Sequence, residues 1–311
     1  MRKCFLLIVL FLGGLLSACS GKQEPALKTS TEEPAWIKDL VWDEISDRDF
    51  VLSADGMTLL KWLNEGVVNL DMNRNPRLKQ VKVIEKEVFK GCDHLTALKL
   101  SDQVHTLSVE SLDGPDNLEY IYLAKVRTIE EEAFKGQEKL KELHFPETLV
   151  HLDEAFHAVC DSFKTLTVAP NNPKYKMVDN VLFTKDQQTL ISYLPNYNGG
   201  DAYVVPDGVA RLGKIAFEDC RHLREITCPP SLVEIGYASF YTERYEEHYY
   251  NVIRLLAKQV VRVNLFPSPD RDPRQLKIDS RTRILVPKGL VEQYKADPVW
   301  RKIADQIEAL R

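Results

Sequence analysis

Apolar positions recur along this chain with a period of 22 to 23 residues. Each copy has an aliphatic residue, a small or apolar residue four positions later, usually Phe five positions later, and apolar residues eleven, fourteen and sixteen positions later. The copies begin at Ile84, Leu107, Ile129, Leu152, Leu212 and, in a degenerate form, Ile235. A self-similar period of this length predicts a chain built from stacked structural repeats.

Stacking is required because one copy buries only a single stripe of side chains and cannot form a core alone. Within a copy, the apolar residues fourteen and sixteen positions after the first lie two residues apart, which places both side chains on one face of a strand. The small residue and the Phe are expected on a short helical or 3₁₀ turn. A solenoid of such copies places Phe89, Phe134 and Phe217 in one column.

A second, longer repeat interrupts the array. Residues 50–62 align without gaps on residues 181–193, and both segments predict β-hairpins, with turns at 55–56 and 185–186. Each is followed by a predicted strand, at 67–72 and 202–205, and then by repeats. The Pro- and Asn-containing segment 169–174 joins the two sub-arrays, which we predict to form one continuous stack.

The C-terminal segment predicts a cap for the open end of the stack. Residues 284–289 predict a last strand, and residues 290–310 predict a helix broken near Pro298. The side chains expected to cover the stack are Leu290, Val291, Tyr294, Trp300, Ile303 and Ile307.

The repeat motif resembles a known family. Leu95-x-x-Leu98-x-Leu100 and its counterparts, preceded by an Ile-x-x-x-Val/Ala-Phe-x-x-Cys pattern, resemble the BspA-like leucine-rich repeats of bacterial surface proteins. The resemblance covers roughly residues 50–300. It implies a leucine-rich-repeat solenoid, a β-rich right-handed superhelix with hairpin insertions and a C-terminal helical cap.

The N-terminus has the pattern of a signal peptide. A short cationic start precedes an apolar run of 12 residues, 5–16, which is shorter than the roughly 20 residues that a membrane-spanning helix needs. The run ends in Leu16-Ser17-Ala18-Cys19, which resembles the lipobox of bacterial lipoproteins. That resemblance implies cleavage before Cys19 and acylation of its thiol, as with palmitate. An ordinary secretory cut after Ala18 is the alternative.

Residues 20–34 are polar and aperiodic, which is typical of a flexible tether. Ser20 after the acylated Cys implies, again by resemblance, sorting to the outer membrane. We therefore expect a lipid-anchored protein of the cell envelope, facing the periplasm or exposed at the surface. The predicted organisation is signal peptide 1–18, lipidated Cys and tether 19–35, N-terminal hairpin and cap 36–80, first array 81–168, hairpin insertion 169–208, second array 209–265 and C-terminal cap 266–311.

Composition narrows the function classes. With 44% apolar and 28% charged residues the chain is globular in type, and a net charge of -5 argues against binding to nucleic acid. No Gly-x-Ser-x-Gly, His-Glu-x-x-His, P-loop or Gly-x-Gly-x-x-Gly motif occurs. We therefore predict no catalytic residues, no metal and no cofactor. The carboxylates at 130–132 are interpreted as a solvated turn.

The cysteines of the body are interpreted as core residues. Cys92, Cys160 and Cys220 hold the same repeat position, eight residues after the first aliphatic residue, as in the BspA-like variant. A small apolar thiol suits a tight buried turn. A disulfide between Cys160 and Cys220 is left open, because an oxidising compartment permits one.

A tyrosine cluster breaks the repeat pattern. Five of the 12 tyrosines fall within fourteen residues: Tyr237, Tyr241, Tyr245, Tyr249 and Tyr250. The first four are spaced by four, so a helix would align them on one face. Tyrosine supplies rigid contact area with a polar tip, so these residues are candidates for ligand binding. The alternative is that they pack against the solenoid.

The leading hypothesis is a membrane-anchored, non-enzymatic module whose repeat surface binds protein or glycan ligands. The family resemblance implies attachment to host matrix proteins or to other cells. Two alternatives remain: a glycan-processing enzyme or accessory protein with carboxylates and tyrosines in a groove, and a structural periplasmic lipoprotein.

Overall fold

The computed structural model describes residues 33–157, 165–194, 199–242, 248–264 and 276–311. The predicted signal peptide 1–18, the proposed acylation site Cys19 and residues 20–32 of the tether lie outside the described residues, as do Cys160 and Tyr245.

The chain forms short strands joined by turns, with few helices. Among the residues that the structure describes, the α-helices are α1 (Ala35–Asp39) and α2 (Val291–Ala296). The 3₁₀ helices of the same residues cover Met72–Arg74, Leu78–Gln80, Lys288–Leu290 and Trp300–Gln306. The strands in chain order are β1 (Phe50–Leu52), β2 (Thr58–Trp62), β3 (Asn69–Asp71), β4 (Val83–Ile84), β5 (Ala97–Lys99), β6 (Thr106–Leu107), β7 (Tyr120–Tyr122), β8 (Thr128–Ile129), β9 (Glu142–Phe145), β10 (His151–Leu152), β11 (Thr165–Val168), β12 (Tyr175–Val178), β13 (Val181–Thr184), β14 (Thr189–Tyr193), β15 (Ala202–Val204), β16 (Arg211–Leu212), β17 (Glu225–Cys228), β18 (Glu234–Ile235), β19 (Val252–Leu255), β20 (Arg262–Val263), β21 (Arg283–Val286) and β22 (Ile307–Ala309).

Successive coils pair their strands in parallel along two lateral sheets. The N-terminal lateral sheet has the order β11-β9-β7-β5-β3, and the C-terminal lateral sheet has the order β15-β17-β19-β21-β22. On the other side of each coil, shorter strands form β10-β8-β6 and the run β14-β16-β18-β20. Because neighbouring coils pair their strands within each array, the fold is the predicted solenoid.

Inward-facing residues stack in register from coil to coil. Leu98 on β5 pairs with Ile121 on β7, and Leu143 on β9 pairs with Leu166 on β11. All four are at most 3% exposed. The apolar positions that define the repeat are therefore the core of the stack, where burial contributes about 25 cal/mol per Å² of apolar surface.

The predicted Phe positions also line the core. Phe89, Phe134 and Phe217 are fully buried. In the second array, the ring centroid of Phe217 lies 5.7 Å from Tyr193 and 5.8 Å from Phe240, with the ring pairs nearly parallel. Stacked aromatic rings one coil apart thus add a column of contacts to the aliphatic rows.

The segment that leads to each Phe is a hydrogen-bonded turn and not the helical turn that the sequence predicted. The residue three positions after the first aliphatic residue has a left-handed backbone, which ends any helix there. Its φ is 49° to 56° in five coils, at Glu87, Glu110, Glu132, Ile215 and Ala238.

Both predicted hairpins are present. β1 pairs with β2, and β13 pairs with β14, in antiparallel fashion. The second hairpin carries an additional strand, β12, joined to β13 by the two-residue turn Asp179-Asn180. Both turn residues are left-handed, with φ of 48° and 57°, as a type I′ turn requires. The insertion therefore adds a three-stranded unit between the two lateral sheets.

The C-terminal cap differs from the prediction at its end. α2 is followed by a 3₁₀ segment, but residues 307–309 form β22 and extend the lateral sheet instead of continuing as helix. Trp300 and Tyr294 are buried, and the indole Nε1 of Trp300 donates to the carbonyl of Val261 at 2.7 Å. The cap thus covers the last coil through two aromatic side chains.

Two neighbouring carboxylates connect the arrays across the insertion, and one of them, Asp153, lies 3.1 Å from the Lys214 ammonium. Glu154, just after β10, accepts hydrogen bonds from the Arg211 guanidinium on β16, one of them 2.9 Å from Nη2 to Oε2. It also accepts the backbone N–H of Lys214 at 2.9 Å. Since both ends are only partly exposed, this ion pair fixes the register between the first and second arrays.

Candidate ligand-binding surfaces

The tyrosine cluster lies on turns and not on a helix in the part of it that the structure describes. Residues 237–240 form a turn, and Ala238 within it is left-handed. Tyr237 and Tyr241 pack against Ala155, Ile215 and Ala238 at the corners of three coils. The four-residue spacing therefore does not align the tyrosines on one helical face.

Cations cover two of these rings. The Lys277 ammonium lies 4.6 Å from the ring centroid of Tyr241, and the Arg281 guanidinium lies 4.0 Å from that of Tyr249. Such cation–π contacts stabilise a ring at the surface by about 0.5–1 kcal/mol. Binding of a ligand by Tyr237, Tyr241 and Tyr249 stays a prediction, and Tyr245 lies outside the described residues.

Tyr250 is part of the core. Its side chain is 1% exposed, and its hydroxyl donates a hydrogen bond to the backbone carbonyl of Phe217. Burial raises the pKa of this phenol well above its usual value. Tyr250 therefore holds two coils together from the inside, which for this residue is the packing alternative and not the ligand contact.

The two lateral sheets present different outer faces. On the C-terminal lateral sheet, outward-facing side chains form ion pairs between neighbouring strands: Arg254 with Glu225 at 2.7 Å, and Arg283 with Glu308 at 2.5 Å. On the N-terminal lateral sheet, the outward positions of β7 and β9 are occupied by Tyr120, Tyr122, Glu142 and His144. Only the N-terminal lateral sheet therefore presents aromatic rings among the described outward positions.

An N-terminal strap, residues 33–43, crosses this aromatic face. The Glu33 carboxylate lies 2.6 Å from the Lys99 ammonium on β5, and the ring centroid of Trp36 lies 5.1 Å from that of Tyr120 on β7. At the end of the strap, Asp43 accepts the backbone N–H groups of Val68 and Asn69 at 2.7 and 3.0 Å. These contacts attach the strap at both ends to the lateral sheet.

The strap forms one wall of a groove of about 590 Å³, called here the lateral groove. Its floor is the outer face of β9 and β11, and its opposite wall is the β12–β13 hairpin. Its apolar walls include Trp36, Val168, Pro170 and Met177. The volume falls within the range of about 300–1,000 Å³ that is typical of ligand sites.

A few polar groups interrupt the apolar lining. On the floor, His144 Nδ1 lies 2.7 Å from Thr167 Oγ1. Burial lowers the pKa of His144, so its imidazole is neutral at pH 7. On the rim, Glu142 carries a negative charge, and Lys176 and Lys185 carry positive charges on the hairpin wall. The groove thus combines apolar walls with charges at its rim.

Sequence comparison identifies the repeats. The family model described as "BspA type Leucine rich repeat region" matches six copies over residues 73–187 and 201–251, which is more than half of the chain. The chain belongs to the BspA-type leucine-rich repeat family. No curated protein sequence matches this BspA-type protein.

Three solved structures are similar to this chain. A leucine-rich repeat protein from Eubacterium ventriosum is 14% identical, with a TM-score of 0.50 over 76% of this chain and 68% of that chain. A leucine-rich cell surface protein from Faecalibacterium prausnitzii is 16% identical, with a TM-score of 0.49 over 88% and 96%. The pneumococcal vaccine antigen PcpA is 16% identical, with a TM-score of 0.46 over 75% and 72%. The first of these similarities supports the fold.

Membership of the BspA-type family suggests an interaction or adhesion module, and such repeat modules are typically non-enzymatic. Within the described ranges, no group of three or more His, Cys, Asp and Glu side chains is arranged to hold a metal ion. Among those same residues, no helix has the length and hydrophobicity needed to cross a membrane.

The cysteines of this BspA-type chain are structural where they are described. Cys92, Cys220 and Cys228 are free and buried. Burial raises the pKa of the thiol to about 11 for Cys92 and to about 12 for Cys228, and well above its usual value for Cys220. Because the thiolate is the nucleophile, these groups are poor candidates for catalysis.

The tyrosine cluster is visible in the sequence, whereas the lateral groove is not. The repeat period constrains inward positions, whereas Tyr120, Tyr122 and His144 are outward positions between them. Tyr120 and Tyr122 flank the buried Ile121, and His144 follows the buried Leu143; this alternation is a signal that could have indicated one aromatic face. No comparable signal in the sequence indicates that Trp36 reaches that face.

Proposed function

We propose that this protein is a lipid-anchored, non-enzymatic interaction module of the bacterial cell envelope that binds a protein or glycan ligand in the lateral groove. The lateral groove is the single observation that carries the proposal. It joins three separate elements, the strap, the N-terminal lateral sheet and the hairpin insertion, around one apolar space. Concave, mostly apolar sites with a few polar groups are where ligands are bound preferentially.

The outward faces support this choice of site. On the C-terminal lateral sheet, outward charged side chains pair with each other, as Arg254 with Glu225 and Arg283 with Glu308. The N-terminal lateral sheet presents rings, which give large contact area at low entropic cost. The partly exposed Tyr237, Tyr241 and Tyr249 form a second proposed contact surface, because Tyr241 and Tyr249 are already held under cations.

Binding is tested with the full-length chain in mild detergent against panels of host-matrix proteins and glycans. Thr167, exposed on β11, and Thr227, at the same position of β17, give a matched pair of variants. Thr167→Trp fills the groove and is expected to weaken saturable binding at least tenfold. Thr227→Trp places the same ring on the other lateral sheet and is expected to change it less than twofold.

Two results would contradict the proposal. One is binding that both variants leave intact, which would place the ligand elsewhere. The other is reproducible glycan hydrolysis that a single Glu or Asp substitution abolishes, which would favour the enzyme alternative.

The anchor is proposed from the lipobox resemblance. Two acyl chains give stable membrane binding, whereas one is marginal. Thirteen residues, 20–32, separate Cys19 from Glu33, so the tether reaches at most about 50 Å. We expect Cys19→Ala to abolish incorporation of radiolabelled palmitate and to release the protein into the soluble fraction. Equal labelling of the variant would contradict acylation at Cys19.

Orientation is a separate question. We propose attachment to the outer membrane with the repeat body exposed at the surface. Protease added to intact cells is then expected to degrade the body, with a periplasmic protein as the protected control. Protection of the body until the outer membrane is permeabilised would support the structural periplasmic alternative.

A further inference from the structure

The lateral groove runs along an open edge of the N-terminal lateral sheet. β11 is the terminal strand of that sheet, and within the described residues no strand pairs with its outer side. Thr165 and Ala169 donate their N–H groups to the carbonyls of Lys141 and Phe145, on the β9 side. Because successive backbone groups of a strand point to alternate sides, those of Leu166 and Val168 point to the open side.

The opposite wall of the groove is a second terminal strand. β12 ends the order β12-β13-β14 of the hairpin sheet, and it pairs with β13 on one side only. Lys176 pairs with Phe183, and Lys185 donates its backbone N–H to the carbonyl of Lys174. This alternation turns the backbone groups of Met177 away from β13. Two sheet edges therefore border one apolar groove.

Open strand edges take up additional strands. An extended peptide that pairs with a sheet edge gains main-chain hydrogen bonds, and its alternate side chains occupy pockets. Natural proteins usually cover or charge such edges, because an exposed edge is a template for pairing. Here the outer edge of β11 is left beside a groove whose walls include Trp36, Pro170 and Met177. The arrangement suits an extended segment with apolar residues at alternate positions.

The rim charges indicate the polar side chains of that segment. Lys176 on β12 and Lys185, directly after β13, lie on the same face of the hairpin, since Lys176 pairs with Phe183, two residues before Lys185. Lys185 Nζ also donates to the carbonyl of Pro170 at 3.2 Å. The single carboxylate that lines the groove, Glu142, lies on β9 and not on the hairpin wall. The hairpin wall therefore favours carboxylates on the occupant.

We infer that the lateral groove binds an extended acidic-apolar segment of a partner protein, which adds as a strand to the outer edge of β11. This inference rests on the proposed function and specifies its ligand class. Peptide is favoured over glycan because the groove offers backbone donors and acceptors at strand spacing. The aromatic rings on the groove walls are Trp36 and Tyr175; one side of Trp36 already faces Tyr120, and Tyr175 is only 8% exposed.

The test uses an array of synthetic octapeptides together with the full-length chain in detergent. Four alternate positions carry Val, Leu or Phe, and the positions between them are all Ser, all Asp or all Lys. We expect the Asp set to be retained at least fivefold better than the Lys set. Thr167→Trp is expected to reduce retention at least tenfold, and Thr227→Trp less than twofold.

Backbone pairing is tested by N-methylation of the best peptide at alternate residues. An added strand donates only every second N–H to the edge, so one methylation register is expected to weaken binding at least tenfold and the other less than twofold. Equal effects of the two registers would overturn strand addition. Lys176→Glu is expected to weaken binding of the Asp set at least fivefold, and Lys258→Glu, exposed in the second array, is the matched control.

Failure of this inference is distinguishable from failure of the proposed function. A glycan array probed in parallel, with retention lost in Thr167→Trp, would overturn the peptide assignment and leave the binding function standing. The peptide assignment would also be overturned, and the binding function would stand, if Thr167→Trp weakened binding of a matrix protein but changed the retention of no peptide. Absence of any ligand on all three panels would overturn both.

Discussion

Tyr249 and Tyr250 are neighbours in sequence with opposite surroundings. The Tyr249 ring lies under the Arg281 guanidinium, whereas Tyr250 is buried and its hydroxyl donates to the Phe217 carbonyl. A residue in an extended segment turns its side chain to the opposite side from its neighbour, so adjacent tyrosines serve surface and core. Counting tyrosines in the sequence cannot separate these two roles.

Removing the hydroxyl of each tyrosine in turn measures how much each hydroxyl contributes to stability. Tyr250→Phe leaves the Phe217 carbonyl without its donor in the core and is expected to lower the free energy of unfolding by about 1–3 kcal/mol. Tyr249→Phe keeps the ring under Arg281 and is expected to change the free energy of unfolding by less than about 0.5 kcal/mol. Urea unfolding followed by circular dichroism gives both values. Equal effects of the two substitutions would contradict the placement of Tyr250.

Thiol reactivity reports the burial of the repeat cysteines. With pKa values of about 11 for Cys92 and about 12 for Cys228, both thiols are protonated at pH 8. Since the deprotonated form reacts, we expect iodoacetamide at pH 8 to leave Cys92, Cys220 and Cys228 unmodified in the native protein and to modify them in urea. Peptide mass spectrometry distinguishes the sites. Modification of Cys92 or Cys228 without denaturant would show that the coil turns open readily.

At the scale of the element, the coils approach closely at the corner after the short strands. A Cβ built on Gly236 would lie 2.5 Å from the backbone carbonyl carbon of Gly213, one coil earlier. Backbone atoms cannot rotate away as a flexible side chain can. Glycine is therefore required here by the contact between coils, and not by an unusual φ.

Gly236→Ala is expected to lower the free energy of unfolding by about 1–3 kcal/mol, because the two coils must separate to admit the methyl group. Gly66→Ala is the matched control, since the nearest atom to its added Cβ is a side-chain oxygen of Asn64 at 3.5 Å. There we expect no loss, and a gain of up to about 1 kcal/mol from the less flexible unfolded chain. Thermal melts of both variants provide the comparison. A tolerated Gly236→Ala would mean that the coils are not in backbone contact.

The strands of the repeat were predictable because burial fixes every inward position, as with Leu98, Ile121 and Leu143. The turns were not predictable, because different residue types, such as Glu87 and Ala238, occupy the left-handed position. The last segment was predicted as helix from the spacing of Trp300, Ile303 and Ile307. In the structure, the open edge of β21 supplies hydrogen bonds that favour a strand there. Tertiary pairing thus outweighs a short periodic pattern.

The lateral groove was not predictable for a similar reason. Trp36 contacts Tyr120 across 84 residues of sequence, and no period relates the two. Outward positions of a repeat are free to vary without loss of the core, so the pattern does not indicate which of them meet another element. Family resemblance supplied the solenoid but not this local contact.

At the scale of the whole molecule, two core clusters are joined through the hairpin insertion. Leu182 and Ile191 pack with the first array, whereas Val181, Phe183 and Leu190 pack with the second. The Glu154–Arg211 pair bridges the same junction. In a linear stack, stability is the sum of coil terms and of contacts between neighbours, so the junction determines whether the arrays unfold together.

Loss of the bridging carboxylate is expected to uncouple the arrays. Glu154→Ala leaves the Arg211 guanidinium with Glu234 alone, 2.9 Å from it, and should lower the first melting temperature while splitting or broadening the transition. Glu225→Ala removes an ion pair inside the second array and is the control, with a small shift and one transition. Differential scanning calorimetry resolves the two cases. A single sharp transition in Glu154→Ala would indicate that the remaining contacts, the Asp153–Lys214 ion pair and the apolar packing, couple the arrays.

The strap has a mechanical consequence. Residues 33–43 are both a wall of the lateral groove and the route of the chain towards Cys19. With Cys19 in a bilayer, a pulling force between a seated ligand and the cell runs through the strap and bypasses the second array. The Glu33–Lys99 ion pair bears that force first, and the hydrogen bonds from the backbone of Val68 and Asn69 to Asp43 bear it last. Under flow, the wall would peel from the lateral sheet before any coil unwinds, so release of the ligand would precede damage to the fold.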